Sequence, residues 1–536
     1  MLTSASTHDV TNQPPPLGPY NVFEADTALR EGLEREGGSW GVDRLRDAGE
    51  LAGSPEALEH SERAERNEPI LRTHDRYGVR IDVVELDPSW HWLLRQAIER
   101  EIHSLPWRDP QPGAHVVRGA LLFVWGQVNS GVMCPVSMTY SVIPALRAEP
   151  ALAAHWEPRL TRASYDEGAL AGMAMTEKQG GSDVRANTTR AEPAGDGLFE
   201  ITGHKWFCSY PSCDLFLTLA QTTAGLSCFL IEGRDPGFRI QRLKDKLGTR
   251  SLPSSEVEFH RVRGRLVGEE GRGVATIIRM VNHTRLDCLI GSAAGMRSGV
   301  AHAVHHARHR SAFGKLLAEH PAMRNVLADL AVESEAATAA AFRIARAYDE
   351  RDDGNGERAA RASPPGFRRF ATAVMKYWVC KRAVGHSAEA LECLGGNGYV
   401  EESGMPRLLR DAPLNSIWEG SGNVAALDVL RATVKEPDGL PAFLAECELA
   451  RGGNALLDAQ LDRLREAPFP EDPEGSARRL VEELAVTLQA SLLVRNAPPV
   501  VADAFCAGRL GEGGRVYGTL PASVDTGAIV ARALAA

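Results

Sequence analysis

The sequence predicts an α+β protein in which a small central β-domain separates helical units. Three observations lead there. Long, Ala-rich stretches with helical apolar spacing lie on both sides of the middle of the chain. Between them, from Ala171 to about Glu269, short alternating runs are separated by Gly, Asp and Pro. The 536 residues also exceed the ~250 to 300 that one hydrophobic core usually serves, so several packed units are expected.

After a lead containing Pro14-Pro15-Pro16, apolar residues recur at helical spacing around 28–36, 90–103 and 119–129, which defines a helical unit over 1–170. The β-domain, 171–270, takes its strands from runs such as 215–219, 228–231 and 256–259. Four long amphipathic segments, about 274–311, 321–350, 367–394 and 424–435, predict an antiparallel helical bundle over 271–436 with an exposed loop at 352–366. Beyond Pro437, residues 437–536 read as an appended helical unit, interrupted at Pro468-Phe469-Pro470 and Pro498-Pro499.

Composition narrows the function classes. With 43% hydrophobic and 24% charged residues and a net charge of -10, the whole chain gives no sign of nucleic-acid binding. Its cysteines, Cys134, Cys208, Cys213, Cys228, Cys288, Cys380, Cys393, Cys447 and Cys506, are scattered and form no C-x-x-C pair. That excludes a disulfide framework or zinc knuckle and fits a reducing cytoplasm. There is no signal-peptide pattern and no run of ~18 apolar residues, so a cytoplasmic location without membrane association is expected.

The chemistry concentrates late in the chain, in Glu392-Cys393-Leu394-Gly395-Gly396-Asn397-Gly398-Tyr399 and Ser416-Ile417-Trp418-Glu419-Gly420-Ser421-Gly422-Asn423. The second places Glu419 in a glycine-flanked turn at a helix N-terminus, which suits a base that removes a carbon-bound proton; the alternative is a capping carboxylate. The loop Met175-Thr176-Glu177-Lys178-Gln179-Gly180-Gly181-Ser182-Asp183-Val184 offers backbone N–H groups and hydroxyls to an anionic or polyhydroxy ligand, unless it is an ordinary turn. It is not a G-x-G-x-x-G fingerprint. Trp206-Phe207 on the following strand reads as core or as a stacking platform. His302, His305, His306 and His309 share a helix face without an evident carboxylate or Cys partner, so no metal site is expected. The run Arg261-Val262-Arg263-Gly264-Arg265 reads as an exposed turn after the strands rather than a phosphate site.

Taken in order, the Thr-Glu-x-x-x-Gly-Ser-Asp loop, the Gly-x-Lys-aromatic strand, Arg310-Ser311-Ala312-Phe313-Gly314, the Gly-Gly-Asn-Gly turn and the Trp-Glu-Gly-Ser turn resemble the acyl-CoA dehydrogenase family. Within it the chain is similar to the AidB-type flavoproteins of the bacterial response to DNA alkylation. It shares with them residues 177–184, Asn187-Thr188-Thr189-Arg190, residues 242–248, 415–423 and 427–431, and Asn12-Gln13-Pro14 near the start. The likeness fades in the last ~100 residues.

The resemblance implies a helical domain, a β-barrel, a four-helix bundle and a helical extension, a homotetramer, and FAD between barrel and bundle. It implies that Thr176 and Ser182 meet the flavin and that Phe207 and Ser209 form its wall. Arg310, Gly395 and Gly396 would approach the adenosine-diphosphate half of an FAD held by a neighbouring subunit. Met175, Gly181, Phe313, Trp418, Ser421 and Asn423 complete the implied cofactor site, and Ser182, Thr284 and Arg285 would line the substrate side. Glu419 matches the catalytic base. The implied reaction takes the α-proton of a short or branched acyl-CoA and passes the β-hydride to flavin N5. Electrons would then pass to an electron-transferring flavoprotein or to oxygen.

Two positions depart from the family pattern, Pro321 and Glu392, where a Gln is usual. The other reading implied by the resemblance is a protective flavoprotein that binds double-stranded DNA, its dehydrogenase activity weak or vestigial. Against it, residues 441–536 hold nine Lys and Arg but thirteen Asp and Glu, so phosphate binding would rest on a local cluster such as Arg478, Arg479, Arg495 and Arg509.

Overall fold

The computed structural model describes residues 7–349, 366–466 and 472–534; most of the loop expected at 352–366, and the Pro468-Phe469-Pro470 interruption, lie outside them. By its contacts the chain falls into two units, one of residues 1–54, 288–418 and 422–536, the other of Pro55–Asp287 with Glu419–Ser421.

The second unit opens with helix Pro55–Arg66 and then a hairpin of β1 (Ile70–His74) and β2 (Arg80–Glu85). Sequence reading passes over this hairpin because it sits between strongly helical stretches. Its turn is set locally: Asp75 Oδ1 accepts hydrogen bonds from the N–H groups of Tyr77 at 2.8 Å and Val79 at 2.9 Å, and Gly78 supplies φ 81°. Five helices follow before the barrel, including Ala114–Gly126 and Met133–Leu146, both nearly all buried. The barrel strands are β3 (Ala171–Ala174), β4 (Arg190–Gly195), β5 (Leu198–Cys208), β6 (Leu215–Thr222), β7 (Gly225–Glu232), β8 (Phe238–Leu243) and β9 (Ser255–Leu266).

Strands β6, β4, β5, β9 and β7 are hydrogen-bonded in that order, and β7 pairs back onto β6, so the ring closes. Closure removes the unpaired edges that an open sheet of this size exposes. Ile201, Leu217, Leu219, Phe229, Ile231 and Val262 are buried in this domain. The expected turn at Arg261–Arg265 is instead the second half of β9: alternation holds Val262 inside and the arginines outside, with Arg261 donating to Glu200 at 2.6 Å. One buried ion pair ties the helices together. Arg118 grips both carboxylate oxygens of Asp287, donates to Ile102 O at 2.7 Å, and lies 3.7 Å over the ring of Tyr140.

In the first unit, helix Phe367–Glu392 packs on helices Pro321–Asp349 and Gly422–Lys435, and Ser292 in the later part of helix Gly273–His309 donates to its Cys380. Pro321 stands at the first position of its helix, where a missing N–H costs nothing. Helix Ala477–Asn496 of the extension packs on three of the bundle helices, and Trp378 donates to the buried Gln489 at 2.9 Å. The extension is locked by charge. Arg509 donates to Asp329 at 2.5 Å and Glu333 at 2.8 Å, and Arg382 donates twice more to Glu333. The last helix, Thr526–Ala533, is held by Arg532 bridging Glu31 and Glu335 and by Arg297 and Arg308 donating to its terminal carbonyls. Burial pushes the Glu333 carboxyl up, but Arg382 and Arg509 outweigh it and hold it at about 2.

Arg509→Leu should therefore leave two buried carboxylates short of charge and cost ~3–5 kcal/mol in urea unfolding. Because the Glu333 value is depressed on folding, its contribution is complete above the ordinary 4.5 and is lost as pH falls through about 2. The difference in stability between variant and parent should shrink over that acid range.

Candidate active site

The site in the second unit is built on a buried ion pair. The Thr176–Ser182 loop leaves β3 and returns toward β4, and its Glu177 is fully buried. Lys205 Nζ on β5 donates to Glu177 at 2.9 Å and to Leu219 O on β6 at 2.8 Å. The carboxylate also accepts from the N–H groups of Thr188 at 2.7 Å and Thr189 at 3.1 Å and from Gln179 at 2.8 Å. Burial drives the Glu177 carboxyl up, yet Lys205 and these N–H groups bring it to about 2. Burial lowers the Lys205 ammonium to about 8, against the pull of Glu177. The pair is charged at neutral pH, and it fixes the base of the loop.

Above that base the loop stays open. Thr176 is half-buried and Ser182 exposed. A Cβ on Gly181 would fall 2.4 Å from Thr176 Oγ1, so only glycine lets that hydroxyl keep its place. Asn187 donates to Met175 O at 2.9 Å, and Trp206 N–H donates to Thr176 O at 2.7 Å. A register shift between Lys205 and Cys208 on β5 re-aims the strand, leaving Lys205 inside and Phe207 50% exposed. Trp206, by contrast, is taken up by Lys244, 3.1 Å above its ring.

Glu419 belongs to this same unit and has φ 57°, followed by Gly420 at φ 106°. A non-glycine residue held there costs of order 1 kcal/mol or more and persists only when its surroundings impose it. One imposing contact comes from Arg285, whose Nε donates to Glu419 O at 3.0 Å. In the other unit the preceding carbonyl, that of Trp418, accepts from the buried Lys376 at 2.8 Å, and the Trp418 indole donates to Asn415 at 3.0 Å. Two consecutive carbonyls around the candidate base are thus each held by a cation. Arg285, expected on the substrate wall, spends this bond on the turn, and the Thr284 hydroxyl bonds its own helix at Val281 O.

Cys134 was not singled out from the sequence. Its thiol is buried near Ser209, Lys246 and Glu419, and burial pushes it up to about 12, with Ser209 and Lys246 pulling down and Glu419 pushing up. Nothing in the Met133–Leu146 segment signals this placing, because it is set by tertiary packing alone.

The remaining candidates lie in the first unit. Arg310 leads into a two-residue hairpin, Ser311–Ala312 with Lys315–Leu316, whose tip is Phe313 at φ 53° and Gly314 at φ 78°. Phe313 is 97% exposed. Gly395 has φ 59°, and an added Cβ at Gly395 or Gly396 meets nothing within 4 Å. Asn423 accepts from Arg478 at 2.8 Å, while Ser421 is exposed at the end of the Glu419 turn in the second unit.

Arg478, Arg479, Arg495 and Arg509 do not gather as free cations, since Arg495 pairs with Glu446, Arg479 with Glu483 and Arg509 with Asp329 and Glu333. His302, His305 and His309 hydrogen-bond to backbone carbonyls. Among the described residues no group of three or more His, Cys, Asp or Glu could hold a metal ion, and no helix is long and apolar enough to cross a membrane. All nine cysteines are free and buried.

A helical entry domain, a closed barrel carrying a glycine-rich loop, and a helical bundle whose last helix follows a Glu-Gly turn define a flavin-dependent oxidoreductase fold of the acyl-CoA dehydrogenase class. The chain belongs to that family, in its AidB-like branch. Residues 12–167 match the adaptive response protein AidB N-terminal domain, 172–262 the acyl-CoA dehydrogenase middle domain and 271–434 its C-terminal domain. It is 41% identical over 517 residues to the putative acyl-CoA dehydrogenase AidB of Escherichia coli, covering 93% of this chain and 94% of that protein. Acyl-CoA dehydrogenase family member 11 of Caenorhabditis elegans is 32% identical, over 76% of this chain and 70% of its own. The solved structure of C. elegans ACDH-11 in complex with C11-CoA superposes with TM-score 0.87 at 28% identity, over 95% of this chain and 94% of that one.

Lys205→Met should leave the Glu177 carboxylate buried without its cation and cost ~3–5 kcal/mol in urea unfolding. The Glu177 contribution exists above the ordinary 4.5 and disappears as pH falls through about 2, so the parent's melting temperature should fall across that range more steeply than the variant's.

Proposed function

We propose that the chain is an FAD-dependent acyl-CoA dehydrogenase in which Glu419 removes the α-proton of an acyl thioester. The observation that carries this reading is the left-handed backbone of Glu419 in the same unit as the Thr176–Ser182 loop, Phe207 and Ser209. Such backbone strain is retained where the direction of a side chain matters. The features that fit a flavin are the Thr176 hydroxyl kept in place beside Gly181, the half-exposed ring of Phe207 and the open Gly395-Gly396 turn.

FAD, when bound, supplies the acceptor for the β-hydride. The protein's part is positioning and proton transfer. Thr176, Ser182 and the loop N–H groups would hydrogen-bond the polar edge of the ring, and Phe207 would wall it. Arg285 and Lys376 hold the carbonyls flanking Glu419, so its carboxylate meets the substrate Cα along one direction. The Glu419 N–H polarises the thioester carbonyl, which stabilises the enolate as the proton leaves. Arg310 would hold the diphosphate of an FAD bound by a neighbouring subunit of a tetramer. Short and branched acyl-CoA thioesters are the proposed substrates, and the C11-CoA bound by ACDH-11 extends the series worth testing to longer chains. Hydrogen peroxide formed during turnover would assign oxygen as acceptor; its absence would favour an electron-transferring flavoprotein.

Anaerobic titration of the FAD-loaded protein with butyryl-, isovaleryl- and longer acyl-CoA should bleach the flavin absorbance. Glu419→Gln should keep its FAD and slow bleaching by roughly 10²- to 10⁴-fold, the range typical of a lost general base. Bleaching at the parent rate would remove Glu419 from the mechanism. The DNA-protecting alternative has less support, because three of the four arginines it would use are committed to carboxylates. Accordingly, a mobility-shift assay with duplex DNA should give no shift even at low salt.

A further inference from the structure

The first unit contains a polar assembly that core stability does not explain. Residues 12–15 lie on the surface, with Asn12, Gln13 and Pro15 exposed, yet they are fastened at both ends. Asn12 Nδ2 donates to Ser311 O at 2.9 Å while Ser311 N–H donates to Asn12 Oδ1 at 2.7 Å, a reciprocal pair that copies a β-ladder contact. Asn12 O accepts from Arg310 Nη1 at 2.5 Å. Gln13 Oε1 accepts from Asn397 Nδ2 at 3.2 Å, and Pro15 O accepts from His305 Nε2 at 2.8 Å.

These bonds join two places far apart in sequence, the Arg310 hairpin and the Gly395–Tyr399 turn. They bury almost no apolar surface, so they contribute orientation more than stability. Asn12 sits at φ 55°, a conformation Asn tolerates, and the prolines that follow stiffen the segment at little entropic cost. Among the described residues the Arg310 guanidinium donates this one hydrogen bond, which leaves its other N–H groups for an anion. Beside it stand the 97% exposed, positive-φ Phe313 and, on the turn, Tyr399 at 82% exposure. A cation, open glycines and exposed rings in one neighbourhood fit a nucleotide diphosphate.

We infer that residues 12–15 are a positioning segment of the cofactor site, setting Arg310 and the Gly395-Gly396-Asn397 turn to receive the adenosine-diphosphate half of FAD. This rests on the flavin reading above. Asn12→Gly keeps the left-handed backbone and removes both Ser311 bonds; Gln13→Ala removes the link to Asn397.

The test is to titrate the full-length apoprotein, parent and double variant, with FAD and separately with FMN, which lacks the adenylate half, following flavin fluorescence. FAD affinity should fall about tenfold, as expected for losing oriented hydrogen bonds, with FMN affinity and the apoprotein melting temperature unchanged. Unaltered FAD affinity would overturn the inference, as would equal weakening of FAD and FMN, which would mean that the segment acts through the fold. A parent protein that binds neither flavin would defeat the flavin reading itself, an outcome distinct from both.

Discussion

The buried Glu177–Lys205 pair is the constraint on which the barrel half of the molecule depends. One ammonium joins β5, β6 and the loop base, and one carboxylate gathers the N–H groups of Thr188 and Thr189. Two charges out of water are expensive singly, so each is tolerable only while the other stays in place. Geometry is what this arrangement secures. The loop cannot drift without leaving an unpaired ion in the protein interior, and the hydroxyl of Thr176 is carried by the residue next to that anchor.

The Glu419 turn follows the same logic with carbonyls in place of carboxylates. Arg285 and Lys376 satisfy successive backbone oxygens, and the strained residue between them has few alternatives. Ordinary hydrogen bonds to neutral donors would hold the turn more weakly than these charge-assisted ones. In the bundle and its extension, arginines play the corresponding part: Arg382 and Arg509 on Glu333, Arg343 and Arg495 on Glu446. In these clusters positive charge is spent inward, on buried acidic groups.

What could be read from the sequence was what is encoded locally. The 28–36 helix, the four long bundle segments and the 215–219 and 228–231 strands follow from periodicity, and the Glu-Gly-Ser and Gly-Gly-Ser-Asp turns from glycine placement. Missed were features whose partners lie far along the chain, such as the placing of Cys134 near Ser209 and the grip of Arg285 on the Glu419 carbonyl. The Arg261–Arg265 run shows the opposite error: charge suggested a turn, while the alternation of Val262 between arginines was already the signature of a half-buried strand. The Ile70–Glu85 hairpin fell between two helices, and its short alternation was outweighed by them.

The division of the chain also dictates an order of assembly during synthesis. Pro55–Asp287 is continuous, so the barrel and its helices have nearly everything they need once that stretch has left the ribosome. Residues 1–54 precede that stretch but belong with 288–418 and 422–536, and Glu31 reaches its partner Arg532 only once helix Thr526–Ala533 is translated. The 7–54 segment therefore waits until the barrel has been made before its first distant partners, such as Arg297 for Asp26 and Ser311 for Asn12, are translated. The polar, proline-rich character of residues 7–20 suits that wait, because a stiff hydrated lead offers little for premature association.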